Sequence, residues 1–134
     1  MTQPNLHTFA QRYAKAWCSD TPARVAAFFA ETGSLKVNDG PPAVGRKAIA
    51  EVAQGFMTAF PDMVVSFDRL DLKNSRVHFH WTLMGTNSGP GGTGKFVRIS
   101  GYEDWRLAGD GLIAESLGQF DAAEYERQLK DGVE

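Results

Sequence analysis

Chemistry in this 134-residue chain would fall to a few side chains that sit among apolar neighbours at regular spacing. Glu103 lies in G-Y-E-D-W-R. Strand parity puts Gly101, Glu103 and Trp105 on one face, and Tyr102, Asp104 and Arg106 on the other. A carboxyl turned with a tryptophan into an apolar cavity has its pKa raised and can donate as a neutral acid. Tyr13 falls on a helical stripe with Leu6, Phe9, Ala10 and Trp17. Its phenol could donate to a substrate oxygen in a dry cavity, or it could be a core tyrosine bonded to backbone. His78 and His80 share one strand face. Histidine titrates near neutrality, so His80 is a candidate general acid or base. With Glu103 the pair makes an incomplete ligand set with no third local ligand, and no metal is expected. If the Trp81 face lines the cavity, both histidines point the other way. Cys18 has no histidine near it in sequence and reads as a small, partly buried residue.

One tempting motif fails. G-P-G-G-T-G-K, residues 89–95, spells most of a phosphate-binding loop, but Phe96 stands where a magnesium-holding Ser or Thr belongs. A β-type run follows where a helix is required. The glycines are expected to form a wide, flexible hairpin tip.

The bulk properties narrow the partners. One domain, residues 1–134, is expected, with 43% apolar and 22% charged residues. A net charge of −2 and no basic cluster argue against nucleic acid. The single cysteine suits a reducing compartment. The N-terminus lacks the pattern of a secretory signal and no apolar run reaches membrane-spanning length, so a cytoplasmic location without membrane contact is expected.

These residues need positioning. Helices are expected at about 5–18 with Asn5 as cap, after Pro22 with Val25, Phe28 and Phe29 as apolar face, and at 46–60 with Ile49, Val52, Ala53, Phe56 and Met57 as stripe. G-S-L-K-V reads as a short strand and N-D-G-P-P-A-V-G as a loop. Alternating runs at 63–72, 76–87, 96–107 and 112–120 read as long strands. D-A-A-E at Asp121 reads as a capping box opening a last helix. Short turns between consecutive strands make the sheet mostly antiparallel, and segregated helices make the fold α+β. Apolar residues on the second sheet face suggest a homodimer surface.

W-T-L-M-G-T from Trp81, T-G-K-F-V-R-I-S-G from Thr93 and W-R-L-A-G-D-G-L-I-A-E from Trp105 resemble the SnoaL-like polyketide cyclases, of the NTF2-like superfamily that also holds ketosteroid isomerase and limonene epoxide hydrolase. A-Q-R-Y and F-F-A-E fit the same pattern, so the resemblance covers nearly the whole chain. The hairpin here is shorter and richer in glycine than in many relatives. The resemblance implies a conical α+β barrel: three helices close on a bent sheet, an apolar pocket opens at one end, and dimers form through the sheet. It implies that Tyr13 stands where the isomerase keeps an oxyanion-hole tyrosine, and Glu103 where it keeps a protonated aspartate. The isomerase's base matches Val37, which cannot do that chemistry. A shift of one or two residues would present Asp39, although N-D-G-P-P is good turn chemistry. Asp121 is the carboxylate nearest the position of the cyclases' acid–base aspartate, and its capping role is an alternative. Gln119 could hydrogen-bond a ligand. Trp17, Phe56, Trp81 and Trp105 would wall the pocket.

The expected function is acid–base proton transfer on a small, apolar, carbonyl-bearing molecule without a cofactor. Tyr13 and Glu103 would stabilise oxygen, and His80, Asp39 or Asp121 would move the proton. Alternatives are a binding protein with the same pocket and no turnover, and an interaction module whose pocket is filled by its own Phe and Trp side chains.

Overall fold

The computed structural model describes residues 3–133. Helix α1 (Gln3–Trp17) is followed by α2 (Pro22–Ala26), β1 (Phe29–Val37), β2 (Ala43–Val44) and α3 (Arg46–Ala59). Then come β3 (Val64–Lys73), β4 (Arg76–Thr86), β5 (Phe96–Leu107), β6 (Ile113–Phe120) and α4 (Ala122–Asp131). The six strands form one sheet in the order β2-β1-β6-β5-β4-β3. Neighbours are antiparallel except β1 and β6, which run parallel. A parallel pair cannot be closed by a hairpin. Here the chain between the two carries α3 and four strands, β2 to β5.

The core lies between the helices and one sheet face. Leu6, Ala10, Tyr13 and Trp17 of α1 are buried, as are Ile49, Ala53 and Met57 of α3. Val77, Phe79 and Leu83 of β4 and Ile99 and Trp105 of β5 meet them from the sheet. Register shifts interrupt β1, β3 and the end of β5. Such bulges bend strands and sharpen twist, so the sheet curls over the helices. Gly101 adds to the fit. It pairs with Trp81 on one side and Phe120 on the other, and those rings meet edge to face at 5.9 Å over it. A Cβ there would come within 2.8 Å of the Trp81 ring.

Several local expectations are corrected. Asn5 lies inside α1 rather than capping it. Phe29 opens β1 instead of continuing the face of α2: Ile113 N–H donates to Phe28 O at 2.9 Å, and strand pairing takes over from helix. The loop after β1 contains β2, paired to β1 at Ser34 and Leu35. Asp121 caps α4 by accepting from Glu124 N–H at 3.0 Å. The reciprocal half of the capping box is missing, because the Glu124 carboxylate takes the Arg127 guanidinium at 2.8 Å and the Gln128 amide. The glycine-rich tip is tied down rather than free. Asn87 Oδ1 accepts from Thr93 N–H, Asn87 O accepts from Gly94 N–H, and Gly89 N–H reaches Ala59 O at the end of α3. No helix follows the tip; β5 does.

Candidate functional site

Three elements place one carboxyl group. On β5, Glu103 pairs with Phe79 of β4 and Gly118 of β6, and Trp105 pairs with Val77 and Ser116. All of these positions share the sheet face turned to the helices. From α1, Tyr13 descends onto them. Its ring sits edge-on to Phe28 at 5.5 Å, Phe79 at 5.3 Å and Trp105 at 5.4 Å, which fixes the direction of its hydroxyl. Phe79 and Trp105 stack at 4.9 Å.

Glu103 Oε1 collects three donors. The Tyr13 hydroxyl donates at 2.9 Å, the Trp105 indole N–H at 2.9 Å and the Ser116 hydroxyl at 2.8 Å. Oε2 has only a longer contact of 3.2 Å to the Tyr13 hydroxyl. Oε2 is thus the less engaged of the two oxygens. Glu103 is 7% exposed. Burial raises its pKa above the ordinary carboxylate value, and the three donors pull the other way. Burial, and next the charge of Glu103, push the Tyr13 phenol well above its usual value, so Tyr13 stays protonated and donates.

The exposed side of Glu103 opens on a cavity of about 60 Å³, room for several waters. Trp17 of α1, Phe56 of α3, Val37 of β1, Phe79 and Trp81 of β4, and Tyr125 of α4 line it, among other apolar side chains. Among the described residues, Glu103 is the sole carboxylate in the wall, and no Lys, Arg or His contributes. Gly118 leaves space beside it, since a Cβ there would stand 4.0 Å from Glu103 Cγ. Helix α4 closes one side because the Gln128 carboxamide accepts from Arg98 N–H at 2.7 Å, pinning the helix to β5.

Of the residues expected at a site, Tyr13, Glu103, Trp17, Phe56, Trp81 and Trp105 come together. Two of them do so differently from expectation. The Tyr13 hydroxyl is spent on Glu103 rather than offered to a ligand, and Trp105 lies behind the carboxyl instead of in the wall. The others lie elsewhere. His80 is on the opposite sheet face, with Nε2 3.0 Å from Asp71 Oδ2. His78 is beside it, stacked on Tyr102 at 5.0 Å. Asp39 is exposed in the turn after β1, and Asn38 ties that turn to β6 by accepting from Phe120 N–H at 2.9 Å. Asp121 is exposed and capping, and Gln119 is exposed, out of phase with Gly118. A tyrosine, a carboxyl and a separate base converging on one point is thus not the arrangement found. Among the described residues no group of three His, Cys, Asp or Glu is placed to hold a metal ion, and no helix is long and apolar enough to cross a membrane.

Ser116, Gly118 and Tyr125 were not anticipated. Ser116 and Gly118 share parity in A-E-S-L-G-Q-F, and two small residues on the face of β6 next to Glu103 were the available signal. Tyr125 follows its cap by one helical turn and packs on Phe120 at 5.5 Å.

Structures of known proteins share this architecture. A proposed polyketide cyclase from Xanthomonas campestris pv. campestris superposes with a TM-score of 0.82 at 19% identity, covering 96% of this chain and 98% of its own. TsrD from Streptomyces laurentii gives 0.81 at 14% identity, covering 96% and 97%. A protein of ketosteroid isomerase-like fold from Catenulispora acidiphila, in complex with trimethylamine, gives 0.77 at 17% identity, covering 95% and 93%. These likenesses establish the fold. A search of curated proteins by sequence finds no match. The family model of the SnoaL-like polyketide cyclases matches residues 7–129. With the bent sheet, the helices and the single-carboxylate pocket they enclose, that match makes this chain a member of the SnoaL-like polyketide cyclase family.

Proposed function

We propose that the chain transfers a proton on a small, mostly apolar, carbonyl-bearing molecule, in the manner of an isomerase or cyclase, and that Glu103 carries the proton. The observation behind this is a lone carboxyl in an apolar wall, with one oxygen held by three donors and the other left for a ligand. His80, Asp39 and Asp121 lie outside the pocket, so a single group acts as base and then as acid. Ionised Glu103 takes a proton from the carbon next to the carbonyl. The C–H pair becomes the enolate double bond, and neutral Glu103 returns the proton to the same carbon or to a conjugated one. Burial suits that cycle, because a carboxylate whose pKa is raised is a stronger base and its neutral form is favoured in the cavity.

The test uses 3-cyclohexen-1-one as probe in deuterium oxide, with proton NMR following isomerisation and deuterium uptake next to the carbonyl. Wild-type protein should accelerate both over buffer, and Glu103→Gln should lose on the order of 10²–10⁴-fold of that rate. Rates equal to buffer, or a fully active Glu103→Gln protein, would refute the reading.

Binding without turnover is the second reading. Val37 favours it, since the aliphatic wall there supplies no second acid or base. The Catenulispora protein of like fold holds trimethylamine, a small ligand of a size that such a pocket would accept. The open cavity argues against a site filled by its own aromatic side chains. The outer sheet face is proposed as the homodimer surface.

A further inference from the structure

The electrostatics of the pocket are one-sided. Its charged group is Glu103, and the rest of the wall is apolar or aromatic. Trp17, Phe56, Phe79, Trp81, Phe120 and Tyr125 bring six aromatic side chains around it. Aromatic faces are the negative poles of their quadrupoles and attract cations. Glu103 is held by three donors, and Trp105 N–H can only donate, so its neighbours favour the ionised form. A buried carboxylate without a countercharge is costly. No Lys, Arg or His among the described residues of the wall supplies one. The three donors also all point at Oε1, so an anionic or strongly polar ligand group meets no donor from them. Burial works against the ionised carboxylate, but the three donors, the aromatic walls and the lack of a basic side chain all favour a bound positive charge, and Gly118 leaves room for it beside Glu103.

We propose that this pocket binds small organic ammonium ions, with the alkylated nitrogen against Glu103 Oε2 and its methyl or methylene groups on the aromatic walls. The cation completes the charge of the site in place of a basic side chain. The inference stands on the walls alone and holds whether or not Glu103 turns a substrate over. If it does, such a cation occupies the base and competes with the carbonyl substrate.

Proton linkage gives the inference a sign. A cation favours ionised Glu103, so its affinity is full above the pKa of Glu103 and falls as the pH drops through it, with protons released on binding. A neutral ligand that accepts a hydrogen bond from protonated Glu103 shows the reverse. The titratable groups facing Glu103 are Tyr13 from α1 and, across the pocket, Tyr125 from α4. Burial raises the pKa of both, so neither titrates in the acid-to-neutral range. The wall residues from α3, β1, β3, β4 and β6 include no titratable side chain. His78, His80 and Asp104 are on the other sheet face.

The test is calorimetric titration of the whole chain with tetramethylammonium chloride, against tert-butanol as a neutral ligand of similar shape and with sodium chloride matching the ionic strength. At about pH 8 the ammonium should bind at least about tenfold more tightly, and repeating the titration in buffers of different ionisation enthalpy should show proton release towards acid pH. Glu103→Gln should abolish the preference while keeping the binding of tert-butanol. Should that variant fold poorly, Phe56→Leu gives an independent arm, weakening the ammonium about threefold and tert-butanol little. Equal affinities, no binding, proton uptake instead of release, or a preference that survives loss of the carboxylate would each overturn the proposal. Deuterium exchange is measured separately, so failure here leaves the proton-transfer reading standing, and the converse.

Discussion

Replacing Tyr13 with phenylalanine isolates one of the three bonds that hold Glu103. The ring lies among Trp17, Phe28, Phe29, Phe79 and Trp105, and those ring contacts survive the change, although the Trp17 side chain also hydrogen-bonds the hydroxyl at either charge of Glu103. What is lost at Glu103 is the 2.9 Å bond to Oε1 together with the 3.2 Å contact to Oε2. A hydrogen bond to a charged partner contributes about 1.5–3 kcal/mol, and one between neutral groups about 0.5–1.5 kcal/mol. Loss of the hydroxyl should therefore destabilise the fold by about 1 kcal/mol more when Glu103 is ionised than when it is neutral. The sign follows from linkage. Burial raises the folded-state pKa of Glu103. Its contribution to stability is then fully present below the unfolded carboxylate value and lost as pH rises through the folded value. Removing a donor raises the folded value further and deepens that loss on the alkaline side. Urea denaturation of both proteins at about pH 4 and about pH 8 measures the difference, provided the slopes agree. Other carboxylates titrate in this window, but they are common to both proteins and cancel. A destabilisation equal at the two pH values, or larger in acid, would show that Tyr13 does not support a charged Glu103.

Two other outcomes are expected. Asp121→Ala removes the cap of α4 and should cost about 1 kcal/mol of stability in thermal or urea unfolding while leaving proton exchange on the carbonyl probe unchanged; a large loss of exchange would return Asp121 to the site. If the outer sheet face pairs two copies, sedimentation should report a dimer, and reversing charge with Arg76→Glu, which breaks the 2.7 Å contact to Asp104, should weaken it; a monomer at all concentrations would remove the interface.

Local signals carried far in this chain. The alternation of F-V-R-I-S-G-Y-E-D-W-R-L predicts β5 with the bounds it has, and parity alone puts Glu103 and Trp105 on the same inward face. The stripe of α1 brings Tyr13 to the core for the same reason. Such periodicities are fixed by covalent geometry and need no knowledge of the rest of the fold. The failures come where two local patterns compete or where distance matters. F-F-A-E fits a helix face or a strand start, and only pairing with β6, far away in sequence, decides for the strand. The bond from Tyr13 to Glu103 spans 90 residues and depends on how far the sheet curls. Nothing local distinguishes a hydroxyl that reaches a ligand from one that reaches a carboxyl. The sequence around Asp39 and Asp121 allows both a local role and a chemical one, and turn and cap are what the backbone around them displays.

The chain has three tryptophans, and all three stand at the same place. Trp17 and Trp81 face the cavity, and the indole N–H of Trp105 ends on Glu103. Whatever enters the pocket therefore changes the surroundings of two of the protein's emitters, and whatever alters the charge of Glu103 changes the third. No tryptophan elsewhere dilutes the signal. The molecule thus carries its own optical reporter, so libraries of candidate ligands can be screened by ultraviolet fluorescence on unlabelled protein.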